Sequence, residues 1–214
     1  MDKRYELISK EVGFQGFFRV DTMQVRHTLF EGGWSKPLER ELFQRGECVA
    51  AVLYDAIRDQ LVLIEQFRVG AMQYDDTPWL LEIVAGAIEP GETPEQVVIR
   101  ETQEESGCEV LDLIPAHVFY TTPGGSSERI HLFCARVDST NVGGIHGLRT
   151  EDEDIRVFVV SFDEAMALLN DGKIASGIPL VGLYWLAQHR EQLREQWGSA
   201  AEEGDEASQS DAGC

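Results

Sequence analysis

The sequence predicts an α+β fold built on a mixed sheet, preceded by a small antiparallel β-rich domain. Three observations carry that prediction. Residues 5–46 read as short strands punctuated by glycine, with no helical period. A hairpin, a capped helix and further strands follow without a regular βαβ rhythm. Two helical segments then close the chain.

Tyr5 to Ser9, Phe17 to Val25 and Arg26 to Phe30 are strand-like and are broken by Gly13, Gly16 and Gly32-Gly33. Glu47 to Tyr54 and Gln60 to Gln66 alternate around Asp55-Ala-Ile-Arg-Asp59, which predicts a hairpin. Thr93 is a good N-cap, Pro94 suits the first helical position and Glu95 favours the first turn, so a helix starts there. Gly107 ends it in the left-handed position that glycine adopts without strain. Residues 108–120 and 129–137 are strand-like, Asp138 to Asp154 is a long loop, and Ile155 to Val160 is a strand. Ser161 and Glu164 form a capping box for a helix closed by Gly172. Ser176 to Trp197 is the final amphipathic helix. Residues 1–46 are thus an N-terminal domain, 47–197 the main domain, and 198–214 an acidic tail predicted to be disordered.

Composition narrows the function. The 214 residues include 18 basic and 38 acidic side chains, a net charge of −20. Such a chain repels phosphate backbones, which argues against a nucleic-acid binder. No apolar run is long enough to span a membrane, and the N-terminus carries Asp2, Lys3, Arg4 and Glu6 instead of an apolar leader. The sequence therefore predicts a cytoplasmic protein without a membrane partner. Its four cysteines lack metal-site spacing and read as small core residues or reduced thiols.

The informative acids lie on the first helix. Glu101 and Glu105 are one turn apart, Glu104 lies between them, and Glu92 is just upstream. Like charges at this spacing weaken a helix by roughly 0.2–0.5 kcal/mol per pair. Alone, they read as a solvated acidic face. As ligands, carboxylates are hard oxygen donors suited to Mg²⁺ or Mn²⁺ beside a phosphorylated substrate.

The stretch from Gly86 to Cys108 decides between these readings. It resembles the Nudix box, G-x5-E-x7-R-E-U-x-E-E-x-G-U with U aliphatic, at Gly86, Glu92, Arg100, Glu101, Glu104, Glu105 and Gly107. Thr102 and Cys108 depart from it, standing where an aliphatic residue is usual. The resemblance implies an α/β/α sandwich and hydrolysis of a diphosphate linked to another group. It implies metal ligation by Glu101, Glu105 and the Ala85 carbonyl, with Arg100 orienting the carboxylates and Glu104 assisting through water.

Pro123, 15 residues past the box, resembles the ADP-ribose pyrophosphatase subfamily. So do Glu65-Gln-Phe-Arg68, Thr77 to Gly86, Thr122 to Arg129, Gly144-Ile-His-Gly147 and Glu153-Asp-Ile-Arg156. The likeness covers about residues 14–197 and is closest to the bacterial dimeric members. It implies hydrolysis of ADP-ribose to AMP and ribose 5-phosphate with two or three Mg²⁺ ions per site, Mn²⁺ being the alternative. Glu153 would be a further metal ligand and Glu151 the general base, on a loop made mobile by Gly143, Gly144 and Gly147. It also implies a homodimer with shared active sites, in which Phe17 and Phe18 of one subunit reach the partner's adenine, with Arg40, Glu41 and Arg45 on the same side. Arg68, Ala87, Thr122, Pro123, Gly124 and Glu128 would complete the substrate pocket. Alone, Phe17 and Phe18 read as core, the arginines as surface, and Glu151 to Asp154 as a solvated loop. His117, His131 and His146 read as structural, His146 least firmly because it lies in the mobile loop. The alternatives are a hydrolase of GDP-mannose or another nucleotide sugar, and a silent Nudix-fold sensor.

Overall fold

The computed structural model describes residues 2–73 and 77–210, with side chains as far as Gly198. The chain divides into two compact units. One comprises residues 1–47 with 119–130, and the other comprises 48–118 with 131–214. The segment 119–130 therefore groups with the N-terminal sheet, although it lies within 47–197 in sequence.

The first unit is a three-stranded antiparallel sheet of β1 (Tyr5–Gln15), β2 (Arg19–His27) and β3 (Leu38–Gln44), in that order. Gly13 does not break β1 as its composition suggested. It sits in a register shift between Val12 and Phe14, and a Cβ there would press on Thr22 Oγ1. Glycine thus serves as a bulge device. Phe17 and Phe18 lie in the turn after β1, not in a strand. Asp21 is fully buried and accepts from Arg19 (2.6 Å) and Gln44 (2.7 Å), with Lys10 at 3.0 Å. Burial alone would raise its pKa, but these donors outweigh burial and hold it at about 2.

An eight-stranded sheet uses β4 (Glu47–Asp55), β5 (Gln60–Phe67), β6 (Trp79–Glu82), β7 (Val84–Ala87), β8 (Asp112–Tyr120), β9 (Arg129–Arg136), β10 (Gly144–His146) and β11 (Ile155–Ser161). Its main order is β10-β11-β5-β4-β9-β8. Backbone bonds from Arg129 to Gly46 and from Val137 to Tyr54 keep one offset, so β4 and β9 run parallel in an otherwise largely antiparallel sheet. The predicted hairpin is present, but β4 and β5 pair only at residues 53–55 and 60–62. Beyond that, β6 pairs with β5 and β7 with β4, filling the gap where the strands diverge.

Helix α1 (Pro94–Ser106) covers one face of this sheet. Its Val97 and Val98 join Val49, Ala51, Leu53, Val62, Ile64 and Val84 in the buried core. Helix α3 (Gly177–Ser210) meets the opposite face at Gly182, where a Cβ would stand 2.8 Å from Val52 and 3.1 Å from Ile83. Alternation along β4 thus feeds both layers, giving an α/β/α sandwich. Helix α2 (Phe162–Asn170) begins at the expected Ser161–Glu164 capping box. α3 continues past Trp197, its expected end, into the segment predicted to be disordered. Ala and Glu in Ala200-Ala-Glu-Glu203 are good helix formers, which the low hydrophobicity of that segment concealed. Residues 211–214 and the side chains beyond 198 lie outside the described residues.

Candidate active site

α1 starts and stops where its local chemistry demands. Thr93 Oγ1 accepts from the Gln96 amide and Gln96 Oε1 from the Thr93 amide, while Gly107 closes the helix at φ +70°. Glu101 and Glu105 project towards β7. The Ala85 amide donates to Glu105 Oε2 at 3.0 Å, and Gly86 lies against the Glu101 side chain, where a Cβ would overlap the carboxylate. The β6–β7 insertion therefore brings Ala85 and Gly86 to the acids. Arg100 Nη1 donates to Glu101 (2.8 Å) and Glu104 (3.0 Å), and its Nε and Nη2 donate to Glu92. Ala87, the last residue of β7, pairs with Cys48.

Electrostatics mark the same place. Glu105 is 3% exposed. Burial, reinforced by Glu101 and Glu153 and opposed by the Ala85 amide and Arg68, pushes its pKa up to about 8. Burial also pushes Glu101 up to about 7, with Glu104 and Glu153 adding to it and Arg100 opposing. Glu153 is thus close enough to act on both acids, and its Oε2 accepts from the Leu148 amide at 3.0 Å. Glu151 is exposed, in a short 3₁₀ turn over Arg149–Glu151.

Among the described residues, no three His, Cys, Asp or Glu side chains converge as they stand into a set that could hold an ion. Glu101, Glu105 and Glu153 are each engaged by a protein donor instead. Their chemistry nevertheless fits a hard divalent cation: they are oxygen donors, and burial beside other acids raises the pKa of Glu101 and Glu105 even against Arg100 and Arg68.

The remaining candidates fall into two groups. Arg68 belongs with the carboxylates and is held by Glu82, at 2.8 Å from its Nε, beside Gln66. Phe17, Phe18, Arg40, Glu41, Arg45, Thr122, Pro123, Gly124 and Glu128 all belong to the first unit. There Arg45 Nε donates to Glu128 at 3.1 Å, and its guanidinium lies 5.0 Å from the centre of the Phe18 ring. Phe18 meets Phe17 and Phe43 edge-on. The segment 122–128 is bonded to β3: Phe43 exchanges backbone bonds with Gly125 and Ser127, and Ser127 Oγ accepts from the Arg45 amide at 2.9 Å. Arg40 and Glu41 are exposed on β3.

The NUDIX domain profile matches residues 44–179. The chain belongs to the Nudix family. An ADP-ribose pyrophosphatase of Escherichia coli strain K12 is 44% identical over 192 residues, 90% of this chain and 92% of that protein. A GDP-mannose pyrophosphatase of Pectobacterium atrosepticum is 35% identical over 142 residues, 64% of this chain and 71% of that one. A crystal structure of an ADP compounds hydrolase shares the fold, with a TM-score of 0.66 at 22% identity, covering 90% of this chain and 96% of that one.

In this Nudix chain one supporting residue escaped sequence reasoning, and so did one contact of a histidine that the sequence reads as structural. Glu82 is buried and holds Arg68; a lone acid closing the apolar run Trp79-Leu80-Leu81 was its signal. His146 packs on Gly107 across the fold, and no local pattern announces that contact. No helix among the described residues is long and apolar enough to cross a membrane.

Proposed function

We propose that the chain is an ADP-ribose pyrophosphatase, which adds water across the diphosphate of ADP-ribose to release AMP and ribose 5-phosphate. The observation that carries this reading is the pair of half-buried Glu101 and buried Glu105 in the Nudix box, set against Gly86 and the preceding Ala85. Identity at 44% across nine-tenths of the chain to a protein named for that reaction supports the substrate. Glu101, Glu105, Glu153 and the Ala85 carbonyl would hold divalent cations, two or three Mg²⁺ per site or Mn²⁺ in their place. Bound there, the ions supply the positive charge that neutralises the diphosphate.

The chain's own groups do the rest. Arg100 holds Glu92, Glu101 and Glu104 in register. Glu151 accepts the proton of the attacking water at its carboxylate. Arg68 and Ala87 line the pocket beside the carboxylates. Phe17, Phe18, Arg40, Glu41, Arg45, Thr122, Pro123, Gly124 and Glu128 form the adenosine side, shared between two subunits of a homodimer. Apolar side chains exposed along β1, such as Tyr5, Val12 and Phe14, support an association of that kind. The net charge of −20 argues against nucleic-acid and anionic-membrane partners, and the buried thiols Cys108 and Cys134 suit a reducing cytoplasm.

A nucleotide panel tests the assignment. With Mg²⁺, ADP-ribose should give AMP at a kcat/KM at least tenfold above that for GDP-mannose. GMP release from GDP-mannose as the faster reaction would replace this reading with the nucleotide-sugar alternative. No turnover of either substrate would leave a silent binding module.

A further inference from the structure

The loop carrying Glu151 and Glu153 is a hairpin with a defined neck. The β10–β11 ladder ends at the pair His146–Ile155, so residues 147–154 form the tip. The tip is bonded to itself. The Glu151 and Glu153 amides donate to the Leu148 carbonyl, the Asp152 amide donates to Arg149, and the Leu148 amide donates back to the Glu153 carboxylate. These bonds fix the tip's own shape, so its placement depends on the neck.

Two contacts join the neck to the end of α1. The Gly147 amide donates to the Glu104 carbonyl at 3.2 Å, satisfying one of the helix's last carbonyls. Beside it, the His146 ring lies on Gly107, so close that a Cβ at residue 107 would stand 2.6 Å from Cε1. The ring is oriented by Nε2–H donating to the Gly143 carbonyl at 3.1 Å. Next to these contacts is a cleft of about 270 Å³ that Asp138, Asn141 and Gly143 also border, so the loop root is not packed along its whole length.

We propose that His146 is a positioning residue whose ring pins the neck of this hairpin to the C-terminal end of α1. The pin sets where Glu151 and Glu153 stand relative to Glu101 and Glu105. The proposal rests on the reading that Glu151 and Glu153 act in hydrolysis. Its physical basis is that acids on two elements about fifty residues apart must share one site, and small errors in such a site are costly. His146 touches neither substrate nor ion in this scheme. It acts through the loop, as residues that orient metal ligands do.

The test compares wild type with His146→Ala and His146→Gln in the full chain. Hydrogen exchange at the amides of residues 147–153 reads the pin directly. Calorimetry with Mn²⁺ alone reads the ligand set, and steady-state kinetics with ADP-ribose read the chemistry. His146→Ala should speed exchange, weaken Mn²⁺ binding and lower kcat about 10- to 100-fold. KM should stay within about threefold, because the nucleotide side of the substrate is held elsewhere. His146→Gln, which can donate to Gly143 and cover Gly107, should recover most of both losses. If His146→Ala does not fold, His146→Leu, which still covers Gly107 but cannot donate to the Gly143 carbonyl, should give the same signature in smaller degree. Unchanged exchange overturns the pin. Faster exchange with wild-type kcat and Mn²⁺ affinity overturns the functional reading of Glu151 and Glu153 instead, and with it the catalytic importance of the pin.

Discussion

Gly86 of β7 lies so close to Glu101 of α1 that a Cβ at residue 86 would overlap the Glu101 carboxylate. Its backbone is not left-handed, so the glycine is required by this approach and not by a turn. Gly86→Ala should therefore displace Glu101 while costing only about 1–3 kcal/mol of stability, the usual penalty of overpacking. Mn²⁺ affinity, read by calorimetry, should fall at least about tenfold. Wild-type affinity in a folded Gly86→Ala protein would show that Glu101 is free to move without consequence.

Glu105 makes the opposite kind of prediction, a gain in stability with a loss of function. Its carboxylate is buried beside Glu101 and Glu153, so charging it opposes folding when no cation is bound. Glu105→Gln keeps an acceptor for the Ala85 amide and removes the charge. In EDTA it should be more stable than wild type by on the order of 2 kcal/mol in urea titrations. Mg²⁺ should then raise the melting temperature of wild type far more than that of the variant. A destabilised Glu105→Gln protein in EDTA would contradict this account of the site.

Glu151 is exposed in its 3₁₀ turn, so replacing it should disturb little of the surrounding structure. Glu151→Gln should bind ADP-ribose and Mg²⁺ nearly as wild type does while kcat falls about 10²-fold or more. Retained kcat would move the general base elsewhere. Glu104 is then the next candidate, although Arg100 already holds its carboxylate.

Phe17 is 94% exposed within its own chain, which a stacking residue supplied to a partner would be. Phe17→Ala should raise KM for ADP-ribose about 5- to 150-fold with little change in kcat, by analogy with base stacking worth roughly 1–3 kcal/mol. Mixing Phe17→Ala with Glu105→Gln subunits should restore activity towards half of wild type per mixed dimer, because one site then carries both defects and the other neither. No recovery after exchange, with mixed dimers verified by mass spectrometry, would exclude a shared site.

Asp21 sets an acid limit on the N-terminal sheet. Its pKa falls from an ordinary value of 3.8 to about 2 on folding, because Arg19, Lys10 and Gln44 outweigh burial. The unfolded chain therefore binds the extra proton between these values. The stabilisation is complete above about pH 4 and is lost as pH falls towards 2. Urea midpoints of Asp21→Asn should lie below those of wild type at pH 6, and the gap should narrow below pH 4. A gap that stays constant to pH 2 would mean that the carboxylate's charge is not what matters.

Local chemistry made part of this legible in the sequence. Thr93 and Gly107 bound α1 because capping and left-handed termination are decided within a few residues. The helical period put Glu101, Glu104 and Glu105 on one face, and the spacing of the box named the chemistry they serve. The tertiary structure alone decided what those acids meet. Only the divergence of β4 from β5 admits β6 and β7 and carries Ala85 and Gly86 to the acids. Only packing puts residues 122–128 on β3, and the His146 ring on Gly107. These contacts join residues tens of positions apart. Their energy arises from shape and hydrogen bonding between surfaces that exist only once the chain has folded, so no periodicity or turn signal encodes them.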